Sequence, residues 1–140
     1  MKNYKKLSII TLLALTGLGT FGTLSVNAAT KSKTTTATLG IKGVASMTDH
    51  VYFSYTGSKI TTSSGSQSVT ALIPSVWISK GGIKVIDSSG AWKKLYQGKY
   101  TVGVGVNAGS LGHLGVSVGD KYIRTAIQGD GTYGYYSFNG

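Results

Sequence analysis

The stretch Tyr100–Val118, YTVGVGVNAGSLGHLGVSV, decides the fold class. Tyr100, Val102, Val104 and Val106 alternate with Thr101, Gly103 and Gly105. After Asn107–Gly112 the pattern resumes, with Leu114, Val116 and Val118 set against Gly115 and Ser117. A side-chain period of two marks an extended strand, because successive side chains point to opposite faces. Two such runs joined by a short Gly-containing link read as a hairpin. One face is aliphatic and the other nearly bare. The aliphatic face fits a core. The bare face would admit a backbone or ligand at close range. Insertion into a bilayer is the third use, although a spanning strand needs about 9–11 residues and these runs look shorter.

The same alternation extends in both directions. Leu39 and Ile41 mark a first strand, Val51, Phe53 and Tyr55 a second, and Val69, Ala71 and Ile73 a third that Pro74 ends. Val76-Trp77-Ile78 and Ile83–Ile86 are extended around a Gly81-Gly82 turn. Lys121–Ile127 and Thr132–Phe138 follow the hairpin. Gly57-Ser58, Ser63–Ser66, Asp87–Gly90, Gly119-Asp120 and Gln128–Gly131 read as turns. Ala91–Gln97 is ambiguous. As a helical turn it groups Trp92, Leu95 and Tyr96 on one side, with Gly98 as the C-terminal cap. As a strand it puts a lysine beside an apolar residue on both faces. The short helix is the expectation. Turn signals at 8–12-residue spacing predict an all-β chain. We expect a single antiparallel β-sandwich, immunoglobulin-like or related, of about seven to nine short strands over residues 37–140.

Lys2, Lys5 and Lys6 precede an uncharged apolar run, Leu7–Val26, that ends in Val26-Asn27-Ala28-Ala29. That order predicts a cleaved secretory signal peptide, residues 1–29. A retained anchor is the alternative, since the run is long enough to span a membrane. Thr30–Thr36 reads as a flexible polar leader. The chain has no cysteine, so disulfides and thiolate chemistry are excluded. A disulfide-free exported domain behind a Lys-rich signal fits a Gram-positive secretome.

Beyond residue 29, eleven Lys/Arg stand against four Asp, a net charge of +7. Such an excess either keeps a secreted basic protein soluble or draws it to anionic partners. Lysine dominates, which disfavours a specific nucleic-acid binder, where clustered arginine is the usual signature.

Five of those eleven positives fall in Trp77–Tyr100. The candidate ligand-binding residues are Trp77, Lys80, Lys84, Trp92, Lys93, Lys94, Tyr96, Lys99 and Tyr100. Exposed rings stack on sugars or sit among headgroups, and ammonium groups hold phosphates. In the competing reading the rings are core and the lysines a solvated face. Tyr133, Tyr135, Tyr136 and Phe138 form a terminal aromatic strand with one core face and one exposed face, or cross-strand aromatic pairs. Asp49-His50 and His113 are a poor metal set, and neighbours in a strand do not face each other. No G-x-S-x-G elbow is present. Asp87, Asp120 and Asp130 lie in turn signals, which leaves no free carboxyl pair.

The sequence therefore predicts a secreted, non-catalytic protein without metal or cofactor. It would act at an anionic wall polymer or membrane surface through lysines and aromatics. A bacteriocin-like antimicrobial protein and a small secreted hydrolase are the alternatives.

Overall fold

A computed structural model describes residues 28–140; the signal-peptide reading falls, up to residue 27, outside the described residues. The described chain is all-β, with seven strands in two antiparallel sheets. The first sheet holds β1 (Lys31–Ile41), β2 (Ala45–Tyr55) and β3 (Ile60–Ala71). The second holds β4 (Val76–Ser89), β5 (Lys93–Asn107), β6 (His113–Gln128) and β7 (Tyr133–Asn139). Strand order follows chain order in both, so each sheet is a meander.

The strands are longer than the turn signals predict, at 7 to 16 residues. Several predicted turns are bulges or strand interior instead. Gly81 and Gly82 form a bulge in β4 opposite Lys99. Gly119-Asp120 lies within β6, beside a bulge at Val118. Ser63–Ser66 lies inside β3. Glycine within a strand marks a bulge or a close approach as readily as a turn. Asp130 does cap a turn: its Oδ1 accepts Thr132 N–H at 2.8 Å and the Thr132 hydroxyl at 2.7 Å.

Two further expectations are corrected. Residues 31–36, read as a flexible leader, are the first half of β1, with Thr35 buried and Lys31–Thr36 paired to Tyr55–His50. Threonine-rich chain suits a strand whose partner is already in place. Ala91–Gln97 is not helical. β5 begins at Lys93, and Tyr96, Gly98, Tyr100 and Val102 point inward at a period of two. The apparent helical grouping ends at Gly98, whereas the strand period continues through it.

The two sheets share one interior, arranged in layers. Ala37 and Met47 pack with Tyr100, Val102 and Ile123. Val51, Phe53 and Ile60 pack with Tyr96 and Ile127. Between these clusters lies a buried polar layer of Thr35, Asp49 and Thr125. Asp49 accepts the Tyr100 hydroxyl, which also donates to Thr48 O at 2.8 Å. Burial pushes the Asp49 carboxyl above its ordinary value of 3.8, and the bond from Tyr100 offsets part of that. The folded state thus holds this proton more tightly than the unfolded chain. Stability should decline as pH rises from 3.8 through the raised value, then level off. Asp120 and Asp130 are held below the same value, so their contribution is complete above it and is lost only on acidification. Denaturation at a series of pH values should show the decline, and Asp49→Asn should abolish it. An identical slope in both proteins would assign the effect elsewhere.

Candidate functional site

The β4 bulge and the four-stranded pairing build a site on the outer face of the second sheet. Register places Lys84, Gln97, Arg124 and Tyr136 in one row across β4 to β7. The next row carries Lys99, Tyr122 and Phe138. The first row spans about 14 Å, three interstrand spacings, and the second about 10 Å, two spacings. Between the rows, Gly81–Lys84 of β4, Gln97 and Lys99 of β5 and Tyr122 of β6 line an open groove of about 430 Å³. Gly81 matters for its shape. A Cβ there would stand 3.0 Å from Lys99 Cγ, so the lysine stem crosses the bulge directly.

The cations differ in freedom. Lys99 Nζ lies 2.8 Å from Asp120 Oδ2, and Thr101 donates to the other carboxyl oxygen at 2.7 Å. The Lys99 bond holds the Asp120 carboxyl below its ordinary range, and that carboxylate raises Lys99 in turn. An ammonium has three donors, so Lys99 keeps capacity for a ligand. Lys84 has no acidic partner among the described residues. Arg124, the only arginine in the chain, is fixed. It donates to Gln97 Oε1 at 2.7 Å and to the Tyr136 hydroxyl at 3.1 Å, with its guanidinium 4.7 Å from the Phe138 ring centre. Tyr122 stacks on Phe138 at 5.1 Å. One end of each row is therefore cationic and the other aromatic, which suits a ligand carrying both phosphate and sugar or polyol units.

Of the nine residues singled out in the sequence, two meet in this groove, Lys84 and Lys99. Tyr96 and Tyr100 are buried and point between the sheets, so as surface contacts they are corrected. The Tyr96 hydroxyl donates to Ser63 Oγ at 2.7 Å, and Lys94 Nζ reaches the same oxygen at 3.1 Å. Lys80 reaches Gln67 O on β3 at 3.4 Å. Lys93 and Trp92 lie at the β4–β5 connection, both exposed. Trp77 stacks on His113 at 4.8 Å and lies across Gly103, where a Cβ would overlap its ring. Gln97, Tyr122, Arg124, Tyr136 and Phe138 were not among the nine. The terminal aromatic strand was the available signal. Both of its faces are exposed at Tyr133, Tyr135 and Tyr136, on β7, the last strand of the sheet.

The histidines do not converge on an acid. His50 points out of the first sheet, with Thr36 Oγ1 3.3 Å from Nδ1 and Ser68 Oγ 3.2 Å from Nε2. Asp49 points inward from the same strand. Among the described residues no three His, Asp or Glu side chains cluster as metal ligands. Comparison with protein-family models, curated proteins and solved structures gives no match.

Proposed function

We propose that the chain is exported behind the 1–29 signal peptide and acts without catalysis at an anionic cell surface. The outer face of β4–β7 binds a phosphate-bearing wall polymer. The observation that supports this reading best is the pair of parallel rows, Lys84–Gln97–Arg124–Tyr136 and Lys99–Tyr122–Phe138. Lysines attract the polymer from a distance and hold its phosphates. The ordered aromatic end offers flat apolar faces to the units between them. Phe138 backs both Arg124 and Tyr122, which limits the entropy lost on binding.

The test is binding of the purified protein to Gram-positive walls, intact and chemically stripped of phosphate polymer. Intact walls should retain it in about 0.1 M salt and release it near 1 M, where the screening length falls to about 3 Å. Equal retention on stripped walls would refute the reading.

A bacteriocin-like activity is the second reading, and the exposed aliphatic hairpin favours it. Dye leakage from sensitive cells would support it over passive binding.

A further inference from the structure

The β5–β6 hairpin does not end where the core ends. Val102 is 6 % exposed, yet Val104 is 49 %, Val116 72 % and Leu111 79 % exposed. Register puts Val104 opposite Val116 and Val106 opposite Leu114, on the face that Val102 turns to the core. That face runs on past the end of the first sheet and loses its cover. The expectation that it packs in the core fails for this reason: the three-stranded sheet is too short to reach it. At the same end the β3–β4 connection exposes Leu72 and Ile73. Its Leu72 N–H bonds Val44 O at 2.8 Å, and Ser75 O takes Gly105 N–H at 2.8 Å, so the two apolar surfaces are fastened together.

We propose that this end of the molecule inserts into one leaflet of an anionic lipid bilayer. Charge distribution selects lipid as the occupant. No residue from Tyr100 to Gly119 is charged. The nearest cations outside the Lys99–Asp120 ion pair, Lys42 on the β1–β2 turn and Lys80 and Lys121 opposite Tyr100 at the base of the hairpin, lie on the headgroup side as the aliphatic tip enters the acyl layer. The tip closes much of its own backbone. Ala108 N–H bonds Gly112 O at 2.8 Å, Leu111 N–H bonds Ala108 O at 3.3 Å, and Gly112 N–H bonds Gly109 O at 3.0 Å. Internal pairing of this kind is what lets backbone leave water. Four strand residues, Val104–Asn107, extend about 13 Å, which reaches less than half of a hydrocarbon core of about 30 Å. Insertion is therefore shallow. The inference uses the proposed function only for attraction to an anionic surface, and depends on different residues for insertion.

The absence of cysteine allows a direct test. Protein expressed as the full 140-residue chain and recovered after export carries a single introduced cysteine, Leu111→Cys, labelled with a polarity-sensitive dye. Ser66→Cys, on the outer face of β3, is the control. With phosphatidylglycerol vesicles the dye at 111 should brighten several-fold, shift to the blue and be quenched by nitroxide-bearing lipid, while the dye at 66 should not change. Leu111→Ser with Val116→Ser should weaken vesicle binding by at least about tenfold, as expected for apolar side chains returned to water. Salt-sensitive vesicle binding with no response at 111 overturns insertion and leaves the surface reading intact. So does binding to walls but not vesicles. A response at 111 that depends on protein concentration and needs no lipid overturns it in favour of a second copy. Failure to bind walls or vesicles defeats both.

Discussion

Tyr100→Ala should leave the domain largely unfolded at room temperature. The ring is fully buried at the centre of the first core cluster, and its hydroxyl serves both Thr48 O and Asp49. Truncating a buried aromatic of this size costs about 3–5 kcal/mol. Leaving the buried Asp49 carboxyl without its donor adds about 1–3 kcal/mol. The sum is comparable with the whole stability of an ordinary domain, about 5–15 kcal/mol. Tyr100→Phe keeps the ring and separates the two contributions: it should fold, with a loss near the second figure. Denaturant unfolding of both variants measures this. A Tyr100→Ala protein as stable as wild type would mean that the two-sheet packing described above is wrong.

The second large effect comes from a position with no side chain. Gly98 lies on β5 directly beneath the Asp49 carboxyl, and a Cβ there would overlap both carboxyl oxygens. Asp49 is 0 % exposed and held by Tyr100, so it has no room to move aside. Overpacking of this kind costs about 1–3 kcal/mol, and the rigid polar neighbour puts Gly98→Ala at the upper end. The cost should nearly vanish in an Asp49→Ala background, because the obstructing group is then gone. A double-mutant cycle reads that coupling directly. Additive losses would show that Gly98 is required for some reason other than Asp49.

Legibility of the fold from sequence follows the range of the forces involved. The period of two in Tyr100–Val106 and in Val51–Tyr55 is local, and those strands formed as read. Which face is covered is not local. Val104 and Val116 look like core residues, but β1–β3 end short of them, and among the described residues they stay exposed. Bulges hid the site in a second way. In β6 the inward positions are Leu114 and Val116 before the bulge, and Ile123, Thr125 and Ile127 after it. A strict alternation continued from Val116 would bury Tyr122 and Arg124. The extra residue at Val118 turns them outward instead, onto the row with Lys99 and Gln97. Lys84 and Lys99 were visible as part of a basic–aromatic cluster. Arg124, Tyr136 and Phe138 join them only through strand pairing between distant segments. The polar layer was half legible. Opposite directions for Asp49 and His50 follow from strand geometry, but the Tyr100 hydroxyl donating to Asp49 and the space Gly98 leaves for its carboxyl, both from the other sheet, do not.

In the proposed function, location rather than net charge makes the outer face of β4–β7 the binding surface. Two variants that remove the same charge test it. Lys84→Gln with Lys99→Gln alters the groove, whereas Lys31→Gln with Lys59→Gln alters exposed lysines that do not line it. Wall binding should weaken about tenfold in the first pair, equivalent to about 1.4 kcal/mol, and by less than about twofold in the second. Equal weakening in both would contradict the account and reduce the positive charge to a non-specific attraction.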